Sequence, residues 1–275
     1  MTRIALLQMT SGIDPAANAA AVSVAARQAA GDGATMLFTP EMAGLLDKDR
    51  KRAASHIVPE GKSAAVKQVA EAARESGIWI AFGIPVLRED GRWANRQILF
   101  DAAGHVAARY DKIHMFDVEL DTGESWRESS AYAPGEQVVT VEDTPLGRLG
   151  LTICYDIRFP ALFEELGRRS CDAIAIPAAF TVPTGRAHWH LLQRARAVEA
   201  SAFVIAAAQV GQHEDGRITY GHSLVVDPWG EVLLDIGGEG AAMRTCEVDP
   251  ARIREVRRQL PSLANKRNIP KSNAQ

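Results

Sequence analysis

Cys154, Glu41 and Lys112 are the residues of this chain whose types and settings best fit chemistry. Cys154 ends the apolar run at residues 149–154 and precedes Arg158-Phe159-Pro160, which opens a helix with proline in its first turn. A cysteine at a strand's carboxyl end, facing a helix N-terminus, is exposed to a ligand and favoured as thiolate. Local context alone leaves open a buried packing cysteine, the commoner case. Glu41 follows Phe38-Thr39-Pro40. Pro40 keeps Thr39 extended and ends the strand, so the carboxylate stands at a sheet's carboxyl edge, where ligand crevices form. Lys112, in Tyr110-Asp111-Lys112-Ile113-His114, follows another strand, where an ammonium can meet an oxyanion. Singly, Glu41 and Lys112 read more readily as solvated surface charges. Together, three strand ends supply nucleophile, base and oxyanion donor, the roles acyl transfer requires. None of the seven histidines sits in a recognisable partner motif for the thiol.

Such residues need strands that end at a common edge. Residues 4–9 and 36–39 read as strands, joined by an Ala-rich helix that Asp14-Pro15 opens and Gly31 and Gly33 close. A helix over 63–76 ends at Gly77, and strands follow at 78–84, 92–100 and 106–110. From 111 to about 136 no period is visible, and a loop of that length is more often functional than idle. Strands at 149–154 and 173–176, a helix at 188–201 and a strand at 203–209 come next. Asp227-Pro228-Trp229-Gly230 fits a type I turn between strands 222–226 and 232–236. A strand at 243–248 and a helix at 250–259 precede a polar tail from Pro261, expected to reach across a surface or a partner. With no linker or low-complexity stretch, residues 1–275 are expected to form one α/β domain with helices covering sheets.

Bulk properties remove several classes of function. The 275 residues are 47% hydrophobic and 24% charged, with formal net charge -3, which argues against a dedicated nucleic-acid binder. No run of 18 apolar residues exists, so no membrane span is expected, and the N-terminus lacks the apolar core of a signal peptide. Cys154, Cys171 and Cys246 are odd in number and widely spaced, as in a reducing cytoplasm, and Cys171 and Cys246 are expected to pack. The His188/His190 pair is the sole, weak suggestion of metal-ligand spacing, and no metal or cofactor is expected.

Pro40-Glu41, Tyr110-Asp111-Lys112-Ile113-His114 and Ile153-Cys154-Tyr155-Asp156-Ile157-Arg158-Phe159-Pro160 resemble, in order and spacing, the three signature segments of the nitrilase superfamily of carbon–nitrogen hydrolases. The resemblance runs to about Arg267. It implies a four-layer α-β-β-α sandwich, usually paired through helices into a homodimer. It also implies Glu41 as general base, Lys112 as oxyanion stabiliser and Cys154 as the nucleophile forming an acyl-enzyme. A second glutamate assists positioning. Glu128 holds the matching place, with Glu119 and Glu124 as competitors.

Tyr155 and Asp156 after the nucleophile resemble the amidase branches, since true nitrilases usually carry Trp and Glu there. The stretch from Ala178 to Trp189 is similar to both the deaminated-glutathione amidase and omega-amidase branches; the motifs at 206–209, 219–223 and 226–230 resemble the former more. The implied reaction is hydrolysis of a linear amide next to an α-keto acid skeleton: deaminated glutathione, or 2-oxoglutaramate in the omega-amidase alternative. A catalytically inert scaffold is the reading from another class. Arg158 and Arg186 are candidates to grip the substrate's carboxylate. Tyr155, Phe180 and His188 are candidates to line the pocket. Arg186 departs from the proline usual in those relatives, and Thr39 from the apolar residue usual before Pro40.

Overall fold

The computed structural model describes residues 1–119, 121, 123 and 125–270. The chain opens with β1 (Thr2–Gln8), α1 (Pro15–Gly31), β2 (Met36–Phe38), α2 (Arg50–Ala54), α3 (Ala64–Ser76), β3 (Trp79–Leu87), β4 (Trp93–Phe100) and β5 (Val106–Asp111). A small ribbon follows, β6 (Asp117–Glu119) with β7 (Ser125–Arg127). Then come β8 (Val139–Thr144), β9 (Gly147–Leu151), α4 (Pro160–Arg168), β10 (Ala173–Ala175), α5 (Val182–Ala200) and β11 (Phe203–Ala206). A second ribbon, β12 (Val210–Gln212) with β13 (Ile218–Tyr220), leads into β14 (Leu224–Val226) and β15 (Val232–Asp235). The last elements are β16 (Ala242–Val248), α6 (Pro250–Gln259) and α7 (Ser262–Asn265).

Two six-stranded sheets result, ordered β16-β1-β2-β3-β4-β5 and β15-β14-β11-β10-β9-β8. Side chains of a strand alternate between faces. In β1, Ile4 and Leu6 therefore face the other sheet, while Ala5 joins the core under α1 and α3. Both faces being dry, the strand reads as a continuous apolar run. On the far side, α4 and α5 cover the second sheet through Leu162, Phe163, Leu166 and Ala197. The layers run helix, sheet, sheet, helix, as the family resemblance implied; strand–helix alternation alone does not separate this sandwich from a doubly wound sheet.

Local signals explain most boundaries. Asp14 caps α1 by accepting from the Ala16 N–H, with Pro15 at the first helical position. Gly77 ends α3 with φ 64°. Gly230 N–H donates to the Asp227 carbonyl at 2.9 Å in the expected turn. Helix α5 starts at Val182, six residues before its expected start at His188. Gly185 sits in its first turn because a Cβ there would stand 2.2 Å from the Tyr220 ring, so packing, not propensity, sets that position. The start of the C-terminal tail packs back on α4: Leu263 lies against Gly167, and Lys266 pairs with Glu164. Among the described residues no helix is long and apolar enough to cross a membrane.

Candidate active site

Strand β9 stops at Leu151, and Cys154–Arg158 form one tight 3-10 turn ahead of α4. The expected strand through Cys154 and the helix dipole at its thiol are therefore corrected. Cys154 instead takes φ 50°, a left-handed conformation costly for a side-chain residue. Its N–H is held by the Pro177 carbonyl at 2.9 Å. The strained turn lifts the side chain toward the seam between the sheets. Tyr155 is second in that turn, so its N–H has no partner within it.

Glu41 reaches the same seam from the other sheet. Thr39 is buried, donating its hydroxyl to the Ala81 carbonyl at 2.9 Å, which accounts for a polar residue where an apolar one is usual. Gly83 is required beside it: a Cβ there would lie 2.3 Å from the Pro40 carbonyl. Glu41 Oε1 accepts from Lys112 Nζ at 2.9 Å and Asn95 Nδ2 at 2.8 Å, and its Oε2 from the Ala179 N–H at 2.9 Å. Lys112, only 2% exposed, also donates to Glu128 Oε2 at 2.8 Å. Glu128 in turn accepts from Asn95 at 3.0 Å and from the Phe116 N–H at 2.7 Å. Of the three glutamates considered for the second place, Glu128 meets Lys112. Glu119 is exposed and pairs with Arg127, and Glu124 lies outside the described residues.

Asn95 and Asp156 are site residues that sequence reasoning does not assign. Asp156 is fully buried and accepts from Tyr110 Oη at 2.6 Å, the Ile153 N–H at 2.9 Å and the His114 N–H at 3.0 Å, with His114 Nδ1 at 2.7 Å. One carboxylate thus ties both flanks of Lys112 to the turn that carries Cys154.

Glu41, Lys112, Glu128 and Cys154 open onto one cavity of about 590 Å³, within the range typical of small-molecule sites. Tyr155, Arg158 and Phe180 also line it. Arg158 is half-buried over the Tyr155 and Phe180 rings, 5.9 and 5.6 Å from their centroids, and among the described residues meets no carboxylate. His188 is not in the cavity wall: its Nδ1 lies 3.3 Å from Arg158, so it can only act through that side chain. Arg186 is exposed on α5 and outside the cavity, which removes it as a carboxylate grip at this site. The His188/His190 pair is split, His190 bonding Asp235 at 2.8 Å instead.

The comparisons fit this geometry. A family model described as carbon-nitrogen hydrolase matches residues 3–258. The chain belongs to that family. It is 40% identical over 270 residues to a deaminated glutathione amidase of Yersinia enterocolitica, covering 97% of this chain and 93% of that protein. It is similar to Saccharomyces cerevisiae Nit3, a member of branch 10 of the nitrilase superfamily, with TM-score 0.84, 30% identity and coverage of 95% and 94%. It is also similar to an amidase from Nesterenkonia sp. AN1 caught after Michael addition of acrylamide at its active-site cysteine, with TM-score 0.79, 26% identity and coverage of 95% and 98%.

This carbon–nitrogen hydrolase is an amidohydrolase of non-peptide bonds, and the site's electrostatics bear on how one works. Burial pushes the Cys154 thiol well above its ordinary range, the Glu41 charge pushes the same way, and Lys112 only partly opposes them. A standing thiolate, expected from strand-end placement, is therefore corrected to a resting thiol. Burial also works against the Glu41 charge, but Lys112 and the hydrogen bonds from Cys154 and Asn95 outweigh it and hold the carboxyl below its usual range. Lys112 is held well above its ordinary value because Glu128 and Glu41 overcome its own desolvation. The resting site is thus thiol, carboxylate and ammonium. Two of the three ammonium donors are spent on carboxylates, leaving one for a substrate.

Proposed function

We propose that the protein hydrolyses deaminated glutathione to 2-oxoglutarate and cysteinylglycine through an acyl-enzyme on Cys154. Glu41 takes the thiol proton as sulfur attacks the amide carbonyl. The oxyanion forms against the free Lys112 donor and the Tyr155 N–H, while Glu128 and Asn95 hold Lys112 and Glu41 in place. Glu41 returns the proton to the leaving amine, then activates the water that releases the acid. Arg158 grips the α-keto acid carboxylate. The observation that carries the mechanism is one buried ammonium bridging Glu41 and Glu128 at 2.9 and 2.8 Å on the cavity that Cys154 lines. The 40% identity to the Yersinia enzyme supports the substrate. The test is amine or ammonia release from deaminated glutathione, 2-oxoglutaramate and a simple nitrile, side by side. Preference for the first is expected; faster turnover of 2-oxoglutaramate would assign the chain to omega-amidase chemistry.

We also infer a cytoplasmic homodimer. Val198 is exposed against the Trp229–Gly230 turn, Leu191 is exposed seven residues earlier on the same face of α5, and Val232 and Leu233 are exposed on the strand after the turn. Sedimentation as a monomer would remove the dimer.

A further inference from the structure

The cavity carries cations on two walls, Arg158 on one and Lys48 with Arg217 on the other, where Asp47 also lines it and is paired with Arg52. On the first wall Arg158 lies with Tyr155 and Phe180, and His188 stands behind it, outside the cavity. On the other, Arg217 stacks over Trp126, its guanidinium carbon 5.1 Å from the ring centroid. Buried Asp215 fixes Arg217 through Nε at 2.8 Å, and among the described residues neither terminal nitrogen has an acceptor. Asp215 also accepts from the Lys48 backbone N–H at 2.8 Å, which ties the two cations to one support. Lys48 Nζ lies over Gly216, 3.4 Å from where a Cβ would stand, and among the described residues pairs with no carboxylate. Both cations line the cavity that holds Cys154.

One carboxylate beside the scissile amide needs one cationic wall. An amide whose leaving amine is ammonia leaves the second wall without a partner. A guanidinium whose terminal nitrogens have no acceptor among the described residues, with an exposed ammonium on the same support, matches a second carboxylate on the other side of the reacting carbonyl. We propose that Arg217 and Lys48 bind the carboxylate of the leaving amine, so that the enzyme selects amides whose departing part is an anionic amino acid or dipeptide. The proposal rests on the reading that the acyl group is a 2-oxo acid gripped by Arg158 and transferred to Cys154. It assigns selection to acylation alone, because the same acyl-enzyme forms whichever amine departs.

The test crosses variants with substrates. Deaminated glutathione, its C-terminal carboxamide and 2-oxoglutaramate are compared by kcat/KM in the wild type, Lys48→Met, Arg217→Met and Arg217→Lys. The wild type should prefer the free acid to the carboxamide by about tenfold, the scale of a half-exposed charge-assisted pair. Lys48→Met, which breaks no ion pair, should shrink that preference about threefold, and Arg217→Met should abolish it, with partial return in Arg217→Lys. The fall should be several times larger for deaminated glutathione than for 2-oxoglutaramate. If the wild type does not cleave deaminated glutathione, the functional reading falls and this proposal with it. If the wild type cleaves it but acid and carboxamide react alike, or if every variant keeps the wild-type preference, the subsite alone is overturned.

Discussion

Two clusters in this molecule look alike on paper. Lys112 sits between Glu41 and Glu128 at 2.9 and 2.8 Å; Asp235 sits between His190 and His222 at 2.8 and 3.0 Å. Bond lengths do not separate them, but their surroundings do. The first lies at the seam of two sheets, next to a cysteine and a cavity. The second is open to water at the edge of one sheet, its side chains about a third exposed, and lines no cavity that reaches the thiol. Two unit charges about 4 Å apart interact with roughly 1 kcal/mol in water and about 4 kcal/mol at an effective dielectric near 20. Desolvation makes the first cluster move ammonium, carboxylate and thiol together off their ordinary proton affinities. In the second, partial burial pushes Asp235 up, but hydrogen bonds from His190, the Gly237 N–H and His222 outweigh it and hold the carboxyl below its usual range. The other stays a surface hydrogen-bond array with each acceptor satisfied. Its three ligand atoms lie within 4.8 Å, near enough for a metal ion, but hydrogen bonds alone account for that spacing.

The sharpest way to break the comparison is Lys112→Met. It should lower kcat/KM by at least a hundredfold, about 2.7–4 kcal/mol of transition-state stabilisation. It should also destabilise the fold by about 3–5 kcal/mol, because buried Glu41 and partly buried Glu128 lose their shared counter-charge. Near-normal turnover in a folded variant would end the role assigned to Lys112.

A pH profile separates the clusters next. Glu41 is held below its ordinary value of about 4.3, so its contribution is present above that pH and lost only as pH falls through the depressed value. Lys112 is held above its ordinary value of about 10.4, so its contribution is complete below that pH and lost only as pH rises through the raised value. With a substrate that does not titrate, kcat/KM should be flat between about pH 5.5 and 8.5. A limb centred near pH 6.5, the range of an ordinary histidine, would instead tie turnover to a group outside the buried network.

The smallest effect belongs to Asp235→Asn. Thermal unfolding should show a loss under about 1 kcal/mol, and kcat should stay within about twofold of wild type. A collapse of kcat would mean that the surface cluster is coupled to the seam and that the contrast is false.

Much of the site was readable because catalysis uses strand ends, and strand ends leave marks. Pro40 fixes where Glu41 stands, the end of β5 at Asp111 marks Lys112, and the apolar run at 149–154 points to Cys154, although its side chain stands on the turn after β9. The parts that stayed hidden depend on packing between sheets. Asn95 lies inside β4, in a polar run Asn95-Arg96-Gln97 that carries no period of its own, so nothing marked it as facing the seam. The start of α5 stayed hidden because Gly185 answers to Tyr220, thirty-five residues away. Strand β8 and both ribbons are short or half-exposed, so their side-chain pattern is weak. The thiolate expectation failed because proximity in sequence to a helix start ignored burial and the Glu41 charge, which the fold brings to Cys154 from more than a hundred residues away. Arg186 misled for a related reason: it stands where the resembling amidases usually have proline, inside a segment taken for a pocket loop, but it is exposed on α5 outside the cavity.

The seam has a consequence for the chain before it is mature. Glu41, Asn95 and Lys112 belong to one sheet, while Cys154 and the Ala179 N–H belong to the other. Neither half alone holds both the thiol and the carboxylate proposed as its base. On the mechanism proposed, a nascent or partly melted molecule has no acylating centre, and turnover begins only when the two sheets dock. Enzymatic rate is in this sense a gauge of sheet-to-sheet registry, finer than helix content, and it should vanish on heating before the secondary structure does.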